Sequence, residues 1–94
     1  LFQVIAAHEL CHAWLFTKGF SDLPLMVEEG LCSVAEALWL TRQDTEIARI
    51  RLERLAANDD RIYGKGYRAA RKAIEKHSLT DVLRHVHRHR RFPA

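Results

Sequence analysis

Two histidines and a glutamate near the start of the chain are the residues best suited to chemistry. His8 and His12 are four positions apart, and Glu9 directly follows the first histidine. On an α-helix, positions i and i+4 share a face, so both imidazoles can bind one Zn²⁺ ion at about 2.0–2.1 Å. Glu9 would lie about 100° around the helix, within reach of a water on that metal. The spacing predicts the site of a zinc-dependent hydrolase.

The same spacing also occurs by chance in amphipathic helices whose histidines only pack or face solvent. In this chain the motif interrupts a strongly apolar stretch at residues 1–16. Two histidines and a glutamate would be costly to bury there without polar partners. This context favours a metal site over simple packing.

A catalytic zinc site usually has three protein ligands, so the chain should provide one more. Glu28 and Glu29 open a second apolar segment, residues 27–40, whose apolar side chains have helical spacing. Gly19 and Pro24 indicate a short connection that makes the two predicted helices neighbours. We expect Glu29 to be the third ligand, with Glu28 as the alternative. Without the histidines, an acidic pair here would simply indicate favourable interaction with the helix dipole.

In combination, these motifs resemble a known family. His-Glu-x-x-His followed by Glu-Gly at the start of the next helix is similar to the gluzincin metallopeptidases, whose third zinc ligand is the glutamate before that glycine. More narrowly, the chain resembles the peptidase domain of the LIM-domain, ubiquitin-activated peptidases that restrict plant organ growth, and of its bacterial relatives. The matching pieces are residues 7–15, 27–32 and 63–68, His85, and residues 91–93.

The resemblance spans nearly the whole chain and implies roles for individual residues. His8, His12 and Glu29 would be the zinc ligands, and Glu9 would be the catalytic base. Gluzincins place a β-sheet before the motif helix, and the edge strand of that sheet holds the substrate. This chain starts without Met inside an apolar helix and shows no convincing strand. We therefore expect residues 1–94 to form one domain, the C-terminal helical part of a gluzincin-like peptidase, within a longer protein.

The remaining sequence predicts further helices and hence an all-α fold of about five helices. Residues 44–57 have the apolar periodicity of a packing helix, and residues 60–77 form another predicted helix. Ser78 and Asp81 have the spacing of a capping box, so a last helix should begin at Ser78.

Tyr63 is a candidate catalytic residue at the start of the fourth predicted helix. Gly64 and Gly66 separate it from Tyr67, and two glycines there cost about 0.8–1 kcal/mol each relative to alanine. Such glycines indicate close backbone approach to the motif helix or to substrate. The Tyr63 hydroxyl could then donate to the oxyanion of a tetrahedral intermediate. Half-buried packing of both tyrosines is an equally good interpretation; for His85, a possible second donor, a solvent-exposed position is favoured.

Composition restricts the remaining possibilities. The chain is 48% hydrophobic and 29% charged, as in globular proteins, and no apolar run reaches the roughly 18–20 residues that cross a bilayer. Two cysteines are too few for a disulfide framework. We expect Cys11 and Cys32 to be small buried residues in a protein of a reducing, cytoplasmic compartment. The expected partner is a protein or peptide substrate, without a membrane.

Charge is distributed unevenly and suggests alternatives to catalysis. Residues 1–47 carry a net charge of −5 and residues 48–94 carry +8. The basic half could bind an acidic protein or nucleic acid, although no aromatic residues alternate with the basic residues of the tail. A catalytically inactive, zinc-binding scaffold is the other alternative.

Overall fold

The described residues form five α-helices. The computed structural model describes residues 2–20 and 22–94, with side chains from residue 6 onward. No strand occurs in these residues, so the predicted all-α fold is confirmed. The helices are α1 (Phe2–Thr17), α2 (Leu25–Gln43), α3 (Glu46–Ala56), α4 (Tyr63–His77) and α5 (Leu79–His89).

A short turn places α1 and α2 side by side. After α1, Gly19 adopts a φ of +83°, a left-handed conformation that glycine takes without steric cost. Pro24 then caps α2, and its carbonyl oxygen accepts the amide hydrogens of Val27 and Glu28 at 3.0 and 3.1 Å. As predicted, Gly19 and Pro24 mark the ends of the connection, although α2 is longer at both ends than the segment 27–40.

The central helix is α2, which contacts α1, α3 and α4, while α5 packs on α4. The main core forms where α1, α2, α4 and α5 meet, and Leu15 anchors the motif helix in it at 1% exposure. The other buried members are Phe20, Leu23, Val27, Leu31, Cys32, Ala73, Val82 and Val86. The histidine motif therefore sits on a helix that is fixed to the rest of the fold.

Two glycines allow α4 to cross α2 at very short range. A Cβ atom on Gly30 would overlap the carbonyl oxygen of Gly66, and one on Gly66 would overlap the carbonyl oxygen of Met26. The sequence predicted close backbone approach at Gly64 and Gly66. The partner of Gly66 is α2 rather than the motif helix, and Gly64 packs on the backbone of Asn58.

Side-chain caps mark the starts of α3 and α5. Ser78 Oγ accepts the Asp81 amide hydrogen at 3.2 Å, which confirms the predicted cap. Between α2 and α3 there are only two residues, Asp44 in a left-handed conformation (φ +49°) and Thr45, whose hydroxyl caps α3 by accepting from the Ala48 amide at 3.1 Å. None of the described helices has the length and apolar character required to span a bilayer.

Candidate metal centre

The structure brings His8 and His12 together on the side of α1 that faces α2. Their ring centroids are 5.0 Å apart, and the side chains are only 18% and 23% exposed. This arrangement follows from their i, i+4 spacing on a helix. The two imidazoles can therefore both contact a group placed between them.

Glu29 lies between the two histidines. Its Oε1 is 2.9 Å from His8 Nε2, and its Oε2 is 3.2 Å from His12 Nε2. Glu29 belongs to the first half of α2 and is buried, at 8% exposure. One carboxylate thus meets the same ring nitrogen of each histidine.

Two further carboxylates contact the opposite nitrogens of the rings. Glu28 Oε2 lies 2.6 Å from His12 Nδ1, and Glu36 Oε1 lies 3.5 Å from His8 Nδ1. Glu28 therefore approaches His12 from the side away from Glu29. The sequence did not single out Glu36. Seven residues separate it from Glu29, which places both on the same face of α2, two turns apart.

These carboxylates change the protonation of His8. Its pKa rises to about 9, chiefly because Glu36 lies at hydrogen-bonding range, with Glu29 adding to the effect and burial opposing it. Positive charge on the imidazole is thus favoured by its surroundings.

Cys32 is a further residue beside the histidines. His8, His12 and Cys32 each offer a ligand atom, and these atoms all lie within 4.8 Å of one another, so the three can hold a metal ion. Cys32 is fully buried, as expected for a small core residue. Both cysteines are free thiols, and a hydrogen bond from Cys32 lowers the pKa of Cys11. The same bond, together with burial, raises the pKa of Cys32.

Glu9 is exposed on α1. Among the described residues, the carboxylates in contact with the histidine rings belong to Glu28, Glu29 and Glu36 and not to Glu9. Glu9 is thus adjacent to the cluster along the chain but accessible from solvent.

Tyr63 and His85 lie on α4 and α5, not on the two helices that carry the histidine cluster. Tyr63 is the first residue of α4 and is 44% exposed. The helix α4 packs on α2, α3 and α5. His85 stacks on His89 along α5, with ring centroids 4.5 Å apart. The ring partner of His85 is thus a histidine of its own helix.

Tyr67 is buried, at 3% exposure. It lines a cavity of about 320 Å³ between α2, α3 and α4, together with Leu38, Leu52 and Ile74. Leu38 is nine residues after Glu29 and hence on the opposite side of α2. Tyr67 is thus more deeply buried than the half-buried position considered from the sequence.

Comparison with known proteins identifies the family. The sequence pattern of the DA1-like family, described as Protein DA1, matches residues 1–53 and 41–89. The chain belongs to the DA1-like family. Protein DA1 of Arabidopsis thaliana is 32% identical over 121 aligned positions, which include 96% of this chain and 22% of that protein. The LIM domain-containing protein HDR3 of Oryza sativa subsp. japonica is 27% identical, over 96% of this chain and 25% of HDR3.

A shorter alignment has a higher sequence identity. Protein DA1-related 7 of Arabidopsis thaliana is 49% identical over 39 residues, which make up 42% of this chain and 7% of that protein. No solved structure matches the chain. These findings confirm the predicted resemblance at the level of the DA1-like family.

The DA1-like relatives are longer than this chain, both overall and within the aligned region. The chain spans about a quarter or less of the length of Protein DA1 and HDR3. The alignment to Protein DA1 runs over 121 positions, more than the 94 residues of this chain, so part of it faces gaps in this chain. The two stretches matched by the family overlap at residues 41–53, which include the link between α2 and α3.

Proposed function

We propose that this DA1-like chain carries the active-site residues of a zinc-dependent peptidase. His8, His12 and Glu29 would hold the metal, and Glu9 would be the general base. The observation that carries this proposal is the position of Glu29, whose two carboxylate oxygens lie 2.9 and 3.2 Å from the Nε2 atoms of the histidines. Membership of the DA1-like family, and the resemblance of its motifs to the gluzincins, support the same assignment.

The donor atoms fit zinc in type and spacing. Imidazole nitrogen and carboxylate oxygen are common zinc ligands, and ligand atoms at about 2.0–2.2 Å in a tetrahedron lie about 3.3–3.6 Å from one another. The observed distances between nitrogen and oxygen are within about half an ångström of that range. A small shift of the Glu29 carboxylate would therefore bring these distances into the range expected for zinc ligands.

Cys32 competes with Glu29 for the role of third ligand. Its sulfur belongs to the group of ligand atoms that lie within 4.8 Å of one another. We favour Glu29 because its oxygens are already within hydrogen-bonding distance of both histidines. Two histidines and one carboxylate also form a ligand set known from catalytic zinc sites.

The metal, when bound, would lower the pKa of a water ligand and polarise the carbonyl of the substrate. Glu9 lies next to His8 on the solvent-exposed side of α1. Its carboxylate would accept the proton of the attacking water and deliver it to the departing amine of a peptide bond. The Tyr63 hydroxyl, exposed at the start of α4, would donate a hydrogen bond to the developing oxyanion.

Metal analysis of single variants tests the ligand assignment. The wild-type chain should bind one equivalent of zinc after dialysis, and His12→Ala and Glu29→Ala should bind none. Cys32→Ala is the matched control and should keep the metal. In the cobalt-substituted chain, a sulfur-to-cobalt charge-transfer band lost in Cys32→Ala, with metal retained in Glu29→Ala, would reject Glu29 in favour of Cys32.

Peptidase activity tests the chemical role. In the protein that carries this chain, Glu9→Gln should keep zinc but slow cleavage of an unfolded protein substrate by about 10²–10⁴-fold, the usual contribution of a general base. Cleavage by Glu9→Gln at the wild-type rate would contradict this mechanism. A wild-type protein that binds zinc but cleaves nothing would indicate the alternative function, a zinc-binding scaffold.

A further inference from the structure

We propose that Glu36 and Glu28 are positioning residues that hold the outer nitrogens of His8 and His12, so that both Nε2 atoms face the centre of the cluster. The inference rests on the proposed zinc site. It concerns residues that are outside the ligand set and adds a specific function to each of them. In particular, it gives Glu28 a role other than that of an alternative ligand.

The two nitrogens of each ring have different carboxylate partners. His8 has Glu29 at 2.9 Å from Nε2 and Glu36 at 3.5 Å from Nδ1. His12 has Glu29 at 3.2 Å from Nε2 and Glu28 at 2.6 Å from Nδ1. Each imidazole is therefore held between a shared inner carboxylate and an outer carboxylate of its own.

The geometry of α2 explains how one helix provides all three carboxylates. Glu29 and Glu36 are seven residues apart, which returns to nearly the same face after two turns. Glu28 precedes Glu29 and lies about 100° around the helix, where it reaches the other side of His12. His8 contacts the later part of α2 and His12 the earlier part, because the helices run in opposite directions.

An outer carboxylate has a defined effect on a histidine ligand. By accepting the Nδ1 hydrogen, it fixes the tautomer whose lone pair is on Nε2, and it increases the basicity of that nitrogen. Loss of such a partner typically weakens metal binding by about 10–100-fold. Glu36 is 17% exposed and Glu28 is 32% exposed, so the contact to His8 is better shielded from water.

Zinc affinity and the histidine tautomer together test the inference. By competition with a chelator, Glu36→Ala should bind zinc about 10–100-fold more weakly than the wild-type chain. Glu36→Gln, which keeps an oxygen acceptor, should recover part of the loss. Glu53→Ala removes an exposed acid of α3 and serves as the control for net charge. In the same way, Glu28→Ala should weaken zinc binding, because it removes the partner of His12 Nδ1.

Nitrogen-15 spectra of the imidazole rings separate positioning from a general loss of stability. In the zinc-loaded wild-type chain, His8 should carry its hydrogen on Nδ1 with a sharp signal, and Glu36→Ala should broaden that signal or move it. Wild-type zinc affinity together with an unchanged His8 signal in Glu36→Ala would overturn this inference and leave the zinc site intact. Absence of zinc binding by the wild-type chain would instead contradict the proposed function.

Discussion

Gly30 and Gly66 meet where α4 crosses α2, and neither position has space for a Cβ atom. The carbonyl oxygen of Gly66 fills the position that a side chain on Gly30 would take. Glu29 directly precedes Gly30 along α2, so the crossing also fixes the backbone of the proposed third ligand. Packing of α4 and geometry of the metal centre are thus connected through adjacent residues.

A methyl group at this crossing should destabilise the fold. Alanine favours a helix by about 0.8–1 kcal/mol over glycine, but Gly66→Ala must push α4 away from the backbone of α2. We expect a net loss of about 1–3 kcal/mol in the free energy of unfolding, measured by urea denaturation. Lys65→Ala, at an exposed neighbouring position, should change it by less than about 0.5 kcal/mol. A Gly66→Ala chain as stable as wild type would show that the crossing is less tight than described.

Leu15 should be among the residues on which the position of the motif helix depends. It is 1% exposed in the main core, whereas the next residue, Phe16, is 78% exposed. Leu15→Ala should lower the free energy of unfolding by about 2–5 kcal/mol through lost burial and the cavity left behind. Phe16→Ala should leave it nearly unchanged. Equal effects in thermal unfolding would contradict the assigned orientation of α1.

Ser78 combines a favourable cap with an unfavourable backbone conformation. Its hydroxyl caps α5, but its φ is +104°, a region that is costly for residues other than glycine. Ser78→Ala should lower the free energy of unfolding by about 1 kcal/mol, because the cap is lost and the strain stays. Ser78→Gly loses the same cap but relieves the strain, so it should be at least as stable as wild type. Chemical denaturation of both variants measures the difference, and equal losses would exclude strain at Ser78.

Zinc should stabilise the folded chain. A metal that binds only the folded state adds about 2.7 kcal/mol at a free concentration 100 times Kd, so the midpoint of thermal unfolding should rise with zinc and fall again with a chelator. His8→Ala should abolish the rise. His89→Ala, which alters the histidine pair on α5, should retain it. If zinc raised the unfolding midpoint of the wild-type chain but not that of His89→Ala, the metal would instead lie at the histidines of α5.

Sequence spacing was sufficient to predict the parts of the candidate site that depend on a single helix. The common face of His8 and His12 follows from their four-residue separation, and Ser78 was recognisable as a cap. The contacts of Glu36 and Cys32 with the histidines were not predictable in the same way. They depend on the relative rotation and closeness of α1 and α2, which pack together through the shared core.

The approach of α4 shows the same limitation. Gly64 and Gly66 correctly indicated that another backbone lies close by. The choice of α2 over α1 as the partner of Gly66 depends on how all the helices pack, and no local signal encodes it. The role of Tyr63 accordingly stays a prediction, since its exposed position at the start of α4 is defined by that packing.

The short link at Asp44 and Thr45 follows the end of α2 that is far from Glu29. The two stretches matched by the DA1-like family overlap at residues 41–53, which include this link. Glu29 lies fourteen residues before the end of α2 at Gln43, a distance of about 21 Å along a helix. A change in the length of this link should therefore leave Glu29 in place beside the histidines. One helix thus carries, at well-separated positions, the carboxylate between the two imidazoles and the turn into α3.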